Sequence, residues 1–168
     1  MASNPVVFLD IDGVLNHNHL YELMKKTPGN KPVDWLDRDC VSRINTVCTR
    51  TGALVVVISG WIKTHPNEYD GTVADLLEAG LGNVVIGHAA TSCPEGIGPL
   101  EYQYRWYLIS QWLEHNREVV DWVIIDDVNW SGYPSERFVQ TSIETGITDN
   151  DIEKAVSIIK GRMTNARE

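Results

Sequence analysis

The chain has 168 residues, 43% of them hydrophobic, so it is long enough to bury a sizeable core and too apolar for a disordered chain. Its formal net charge of −9 argues against broad electrostatic wrapping of nucleic acid, although a local basic pocket for one phosphate stays open. Three cysteines without C-x-x-C spacing argue against a disulfide framework or a zinc site and indicate a reducing, cytoplasmic setting.

The first apolar segment is "VVFLDI", at Val6–Ile11. Asp10 interrupts it, which argues against a signal peptide, and no apolar stretch approaches the ~20 residues of a membrane span. Because the segment Val6–Ile11 is apolar without alternation, it predicts a strand buried on both faces, as in a parallel sheet covered by helices. The following segment, Asn16–Asp34, is polar and contains prolines and a glycine, which predicts a loop with little regular structure.

Helices and apolar strands then alternate along the chain. A helix is predicted between Asp37 and Gly52, and the apolar run Leu54–Ile58 predicts a second buried strand. Thr72 and Asp75 resemble a capping box and predict the start of a short helix. A third, short strand is predicted at residues 83–86.

The second half of the chain continues the alternation. Residues 91–100 are rich in Gly and Pro and predict a loop, and Glu101–His115 predicts a helix. Trp122–Ile125 predicts a fourth buried strand, and Arg137–Thr141 a fifth strand at an edge. Thr148 is predicted to cap a last helix whose apolar residues recur at helical spacing.

This alternation predicts one α/β domain over residues 1–168, a Rossmann-like three-layer fold with a mainly parallel sheet of about five strands. In such sheets, ligands bind beyond the carboxyl ends of the strands. Polar groups follow three of the predicted strands and are therefore expected to meet at one rim. They are Asp10 with Asp12, Ser59, and Asp126 with Asp127.

Four carboxylates at one rim would repel each other unless a cation neutralises them, and a hard divalent ion with oxygen ligands, Mg²⁺, is the simplest solution. A single Asp pair is more often a helix cap or a solvated loop, but two pairs after two buried strands favour a metal site. A metal beside an aspartate also makes a phosphate site, because Asp can attack phosphorus to form an aspartyl-phosphate.

Such an attack needs donors and a fixed positive charge around the phosphoryl oxygens. The Ser59 hydroxyl and the backbone amides around Gly60 and Gly13 are suitably placed donors. Arg105, at the start of the helix before the fourth strand, and Lys63 are the two candidate cations. Either could also be an ordinary surface charge.

The segments "DIDGV", "VVVIS", a basic residue and "VIIDD" together resemble the haloacid dehalogenase (HAD) superfamily of phosphohydrolases. The resemblance implies that Asp10 is the nucleophile and that Asp12 is the general acid and later the base. It places Mg²⁺ between the Asp10 carboxylate, the Asp12 carbonyl and Asp126, with Asp127 assisting. Arg105 fits the third motif better than Lys63, which follows the second motif too closely.

A closer resemblance covers nearly the whole chain. "FLDIDGVLN", a Trp after the second-strand Ser, "ISQWL" and "FVQTSIETGIT" are similar to the small HAD domains of multifunctional RNA-repair proteins and their stand-alone bacterial and phage relatives. In that group the second motif reads S-S-W-R, whereas this chain has Ser59, Gly60, Trp61 and Ile62. The phosphate contacts at the second motif therefore remain open.

The spacing of the motifs leaves no room for a large cap domain, which predicts an open cleft. By the resemblance, an open cleft implies a bulky substrate. The leading interpretation is a Mg²⁺-dependent phosphatase for a nucleic-acid terminus or a nucleotide. The alternatives are a phosphatase for a small phosphorylated metabolite and a phosphate-binding or regulatory domain without turnover.

Two further groups of side chains could contact a substrate. Aromatic residues beside Arg105 could stack a base, although such residues more often pack in the core. Two loop histidines after the first motif are more often solvated than catalytic. The aromatic residues are Tyr102, Tyr104, Trp106 and Tyr107, and the histidines are His17 and His19.

Overall fold

The computed structural model describes residues 3–26, 31–64, 68–89, 104–130 and 132–165. The strands are β1 (Val6–Leu9), β2 (Leu54–Val57), β3 (Val85–His88), β4 (Trp122–Asp126) and β5 (Phe138–Gln140). The helices are α1 (Asn18–Met24), α2 (Arg38–Thr51), α3 (Trp61–Thr64), α4 (Glu68–Glu78), α5 (Tyr104–His115) and α6 (Asp149–Asn165). Two 3₁₀ turns lie at Pro32–Trp35 and Ser135–Arg137.

All five strands form one parallel sheet in the order β3-β2-β1-β4-β5. Successive side chains of a strand face opposite sides, and both sides of β1 are buried. Leu9 joins a core cluster with Ile44 of α2 and Ile159 of α6. Phe8 joins a cluster on the other side with Ile109 of α5. Helices therefore cover both faces, and the predicted Rossmann-like three-layer fold is confirmed.

The helix predicted between Asp37 and Gly52 is confirmed as α2. The Asp37 side chain accepts hydrogen bonds from the backbone N–H groups of Asp39 and Cys40, which have no partner within the helix. Gly52 ends the helix with φ of 73°, a left-handed conformation that glycine adopts without steric cost. The edge strand near Arg137–Thr141 is also confirmed, as β5 parallel to β4.

The prediction of a loop over Asn16–Asp34 is wrong for part of that segment. The structure has helix α1 there, followed by the 3₁₀ turn at Pro32–Trp35. Helix α1 begins at His17, whose ring Nδ1 accepts a hydrogen bond from the backbone N–H of Leu20. Histidine is not a usual N-cap residue, which is why the sequence pattern did not indicate a helix start here.

Three predicted boundaries are also corrected. β1 ends at Leu9, so Asp10 follows the strand instead of interrupting it. Helix α4 begins at Glu68, before the proposed cap at Thr72, and Thr72 is buried inside the helix. The third strand lies at Val85–His88, two residues later than predicted, where a register shift occurs against β2.

Some predictions fall on residues outside the described ranges. These are the loop at 91–100 and the first residues, 101–103, of the helix predicted at Glu101–His115. The described ranges contain no helix with the length and apolar composition that crossing a membrane would require.

The Asp37 carboxylate predicts a pH-dependent contribution to stability. Burial raises its pKa, but hydrogen bonds from His17 and from two backbone N–H groups outweigh this effect and hold the pKa below its usual value. Because the pKa of Asp37 is lower in the folded state than in the unfolded state, its ionised carboxylate stabilises the fold at pH values above the unfolded-state pKa. This stabilisation is lost as the pH falls through the folded-state pKa. We expect Asp37→Asn to lower the free energy of unfolding by about 1 kcal/mol at pH 7.

The difference between wild type and Asp37→Asn should shrink below about pH 4, where the unfolded carboxyl is protonated. Urea unfolding over a series of pH values measures it. Asp39→Asn, at an exposed aspartate of the same helix, is the matched control. A difference that did not change with pH would contradict this role of the Asp37 carboxylate.

Candidate active site

Asp10 lies directly after the central strand β1 and is only 2% exposed. Its backbone N–H donates to the Ile125 carbonyl over 3.0 Å and so extends the pairing with β4. Its carboxylate Oδ1 accepts from the backbone N–H of Ile11 over 2.8 Å. The end of the buried strand therefore holds this carboxylate in one orientation, at the carboxyl edge of the sheet.

Asp126 is the last residue of β4 and is fully buried. Its Oδ1 accepts from the backbone N–H of Val128 over 2.9 Å, and its Oδ2 accepts from the Tyr133 hydroxyl over 3.1 Å. Tyr133 is itself buried. Two donors from the segment after β4 thus fix this second carboxylate.

Arg105, in the first turn of α5, bridges the two carboxylates. Its Nη1 donates to Asp10 Oδ2 over 2.6 Å and to Asp126 Oδ2 over 2.8 Å. The guanidinium also lies over the ring of Trp130, with 4.9 Å from Cζ to the ring centroid. One cation therefore ties together the ends of β1 and β4 and the beginning of α5.

Burial has the largest influence on the pKa values of the carboxylates in this cluster. Burial raises the pKa of Asp10 to about 6, Arg105 opposes that rise, and Asp126 adds to it. Burial likewise raises the pKa values of Asp126 and Asp127. Burial disfavours the charged Arg105, but the nearby carboxylates outweigh it and raise its pKa above the usual value. Three carboxylates therefore lie close together beside one guanidinium, and full ionisation of all three would be favoured by a further cation.

Asp10, Asp126 and Asp127 fit a hard divalent cation. Each can offer a carboxylate oxygen, and these oxygens lie within 4.8 Å of one another. Oxygen donors of this kind are the ligands that Mg²⁺ prefers. Gly13 makes the approach of Asp127 possible, because a Cβ at Gly13 would overlap the Asp127 carboxylate. Gly13 also has φ of 71°, which disfavours other residues.

Asp12, unlike these three carboxylates, is exposed to solvent. Its Oδ1 accepts from the Asn16 side-chain nitrogen over 2.8 Å, and the Asn16 oxygen accepts from the Gly13 backbone N–H over 3.0 Å. The Tyr21 hydroxyl lies 3.5 Å from the same Asp12 oxygen, at the outer limit of a hydrogen bond. Burial and the Asp12 charge raise the pKa of Tyr21 to about 12.

The second predicted motif lies at the end of β2, next to β1. Ser59 is fully buried, and its Oγ accepts from the backbone N–H of Trp61 over 3.2 Å. Gly60 is exposed, and a Cβ there would meet open space. Lys63 lies in α3, and its side chain is outside the described part of the structure.

The other candidates from the sequence have different surroundings. Trp106 packs against Trp122 with 6.0 Å between ring centroids, as a core residue would. Tyr107 is 40% exposed. Tyr102 and the side chain of Tyr104 lie outside the described residues. The aromatic group beside Arg105 is thus partly core packing.

His17 is buried, so the prediction of a solvated histidine is wrong at this position, whereas His19 is exposed. The His17 Nε2 lies 2.7 Å from Asp37 Oδ2. His17, Asp37 and Cys40 could also offer ligand atoms to a metal. However, His17 and Asp37 already hold the first turns of α1 and α2, and the Cys40 thiol faces backbone carbonyls. These contacts account for the three residues structurally.

Sequence reasoning missed several residues of the site. Tyr133 and Trp130 follow the acidic pair in an irregular segment, where no periodic pattern singles them out. Asn16 stands at the end of the first motif, four residues after Asp12, and this spacing was the available signal. Tyr21 lies in the segment Asn16–Asp34, which was predicted to be a loop, and Trp35 directly follows that segment.

Comparison with known protein families gives one match. A family described as "HAD domain in Swiss Army Knife RNA repair proteins" matches residues 6–152, which is most of the chain. The match includes all the residues of the candidate site and bears out the resemblance noted from the motifs. Searches of curated proteins and of solved structures found no match.

Proposed function

The chain belongs to the family of HAD domains found in Swiss Army Knife RNA repair proteins, and we propose that it is a Mg²⁺-dependent phosphatase that hydrolyses phosphomonoesters through an aspartyl-phosphate. One observation carries this proposal. The buried Asp10 carboxylate is oriented by the Ile11 N–H group and by Arg105, beside the exposed Asp12. A fixed nucleophile and a separate proton carrier are what phosphoryl transfer requires.

Asp10 is the proposed nucleophile. Its carboxylate oxygen attacks phosphorus, the bond from phosphorus to the leaving oxygen breaks, and Asp12 donates a proton to that oxygen. Water then attacks the phosphorus of the aspartyl-phosphate and gives a proton to Asp12, which releases phosphate and restores Asp10. Asn16 positions Asp12 for both proton transfers by donating to its Oδ1.

The proposed metal ligands are Asp10, Asp126 and Asp127, whose oxygens lie close enough together to hold one ion. By the family resemblance, the Asp12 backbone carbonyl would complete the protein ligands. When bound, Mg²⁺ neutralises charge on the phosphoryl oxygens and on the carboxylates. Arg105 supplies a permanent positive charge at the same place.

The phosphoryl group is proposed to bind between the ends of β1 and β2. The Ser59 hydroxyl, the backbone N–H of Gly60 and the Arg105 guanidinium are the proposed donors, and Lys63 is a further candidate on α3. The exposed backbone at Gly60, where a Cβ would meet open space, supports close approach of a substrate.

We propose a nucleic-acid terminus or a nucleotide as the substrate. The description of the matching family as part of RNA repair proteins supports this class. In the described residues, α1, a 3₁₀ turn, α2 and β2 occupy the chain between Asp12 and Ser59, which leaves no room there for a large cap over the cleft. A small phosphorylated metabolite is the alternative.

We also propose a reducing, cytoplasmic setting. Cys40 and Cys48 are buried free thiols. Burial raises the pKa of each thiol to about 11, which disfavours the reactive thiolate. Buried, free thiols such as these are compatible with a reducing compartment.

Removal of the metal tests the proposed activity. We expect the purified protein to release phosphate from a generic aryl phosphate in the presence of Mg²⁺. Phosphate release should stop in EDTA and resume when excess Mg²⁺ is added. Activity that persists in EDTA would contradict the metal dependence. Binding of phosphate without release of product would favour a domain without turnover.

A substrate panel then tests the proposed class. Oligonucleotides with a 3′- or a 5′-phosphate, mononucleotides and sugar phosphates are compared at equal concentration. We expect one of the nucleic-acid substrates to have the highest kcat/KM. A preference for sugar phosphates would favour the metabolite alternative.

A further inference from the structure

A pocket opens beside Asp12. Its volume is about 380 Å³, within the usual range of small-ligand pockets. The described residues that line it include one charged side chain, Asp12, and three aromatic ones. The lining residues are Asp12, Asn16, Tyr21, Pro32, Trp35 and Trp61.

The three aromatic rings come from separate elements. Tyr21 belongs to α1, Trp35 ends the 3₁₀ turn at Pro32–Trp35, and Trp61 begins α3. The rings of Tyr21 and Trp35 are in contact, with centroids 5.5 Å apart and planes at 52°. Trp35 is 36% exposed, although a tryptophan that only filled the core would be covered.

The position of Asp12 shows which part of a substrate this pocket would receive. Under the proposed function, Asp12 protonates the leaving oxygen, so the leaving group must lie within hydrogen-bonding distance of Asp12. The pocket shares Asp12 as part of its lining. The leaving group of the phosphoester is therefore directed toward the three rings.

The chemistry of the pocket favours a flat, neutral ring. The described lining residues include no positively charged side chain, so the pocket offers no counter-charge to a second phosphate or a carboxylate. Both polar ends of the Asn16 amide already form hydrogen bonds, to Asp12 and Gly13. Recognition would therefore depend on stacking more than on reading the hydrogen-bonding edge of a base, and stacking tolerates any base.

We propose that Tyr21, Trp35 and Trp61 form a nucleobase-binding subsite, which stacks the base of the nucleotide that carries the scissile phosphate. This inference rests on the proposed phosphatase function and specifies its substrate. It predicts strong discrimination against a phosphorylated end that lacks a base and weak discrimination among the four bases.

The test compares substrates that differ only in the base. The pairs are adenosine 5′-monophosphate with ribose 5-phosphate, and a 3′-phosphorylated oligonucleotide with the same oligonucleotide ending in an abasic site. For Trp35→Ala and Trp61→Ala, kcat/KM should fall by about 5-fold to 150-fold on the base-bearing member, as loss of one stack predicts. The value of kcat/KM for the substrate without a base should stay unchanged in both variants.

Two further variants separate stacking from general damage. Trp35→Phe keeps an aromatic face and should restore most of the activity lost in Trp35→Ala. Tyr107→Ala removes an exposed aromatic residue of α5 that does not line the pocket, and it should leave the ratio between paired substrates unchanged. Equal losses on both members of a pair, or no loss, would overturn the subsite.

Calorimetric titration of the wild type keeps the inference testable if a variant fails to fold. Adenosine should bind, and ribose should not. If no phosphate ester is hydrolysed but adenosine binds, the proposed function fails and the aromatic subsite stands. If phosphate esters are hydrolysed but adenosine does not bind, the subsite fails alone. Hydrolysis of a phosphotyrosine peptide but of no nucleotide would assign the pocket to a tyrosyl ring and overturn the proposal.

Discussion

Replacement of Asp10 by Asn is expected to lower phosphate release by at least about 1,000-fold while the fold survives. The amide has nearly the same shape as the carboxylate but cannot attack phosphorus. It also places an N–H₂ group or a weaker acceptor against the Arg105 guanidinium, which now donates to Asp10 Oδ2 over 2.6 Å. Steady-state phosphate release and thermal unfolding measure the two effects.

Asp70→Asn is the matched control for Asp10→Asn. Asp70 is an exposed residue of α4, so its replacement should change neither activity nor stability. Activity of Asp10→Asn close to that of the wild type would exclude Asp10 as the nucleophile. Loss of the fold in Asp10→Asn would instead assign the carboxylate a mainly structural role.

Replacement of Arg105 by Met should have the second large effect. Its Nη1 bridges Asp10 and Asp126, both of which are buried. Without the guanidinium, two buried carboxylates face each other unpaired, and breaking a buried pair in this way costs about 3–5 kcal/mol of stability. We expect a loss of that size in EDTA, and a fall in phosphate release of at least about 100-fold.

Mg²⁺ should restore part of the stability of Arg105→Met, because a cation that binds only the folded state stabilises it and the proposed ligands are the same carboxylates. Arg105→Lys keeps the charge but loses the planar, multidentate geometry, so it should give intermediate values. Urea unfolding in EDTA and in Mg²⁺ measures both variants. A Met variant as stable as the wild type in EDTA would show that the carboxylates need no counter-charge.

The arrangement of the sheet could be predicted from the sequence because buried strands carry their own signal. The apolar runs at Val6–Leu9, Leu54–Val57 and Trp122–Ile125 have side chains on both faces of the sheet. Such runs, alternating with helices, are typical of a parallel sheet covered by helices on both faces. The carboxyl ends of parallel strands share an edge. The proximity of Asp10 and Asp126, which Arg105 joins, follows from that topology.

The remaining parts of the site depend on tertiary contacts that leave little local pattern. Helix α1 begins at a histidine held by Asp37, twenty residues further along the chain, so no local capping signal marks it. Thr72 resembled a cap but lies buried within α4. Tyr21, Trp35 and Trp61 line one pocket only after three separate elements have packed. Composition alone could not bring these side chains together.

Gly13 shows how one small residue connects fold and site. The first-motif glycine was identified from the sequence only as part of a D-x-D-G pattern and as a source of backbone amides. In the structure its positive φ and its missing Cβ give room to the Asp127 carboxylate. Its carbonyl also accepts from the Thr141 hydroxyl over 2.7 Å. These contacts join the ends of β1, β4 and β5.

The most direct test of the proposed chemistry is chemical trapping of the aspartyl-phosphate. A ³²P-labelled aryl phosphate is mixed with the Asp12→Asn variant, quenched in acid and digested. This leaving group needs little protonation, so Asp10 can still be phosphorylated, whereas hydrolysis of the intermediate is slowed without the Asp12 base. We expect hydroxylamine-labile label on the peptide that contains Asp10. Label on another residue, or release of phosphate without any labelled protein, would contradict the proposed nucleophile.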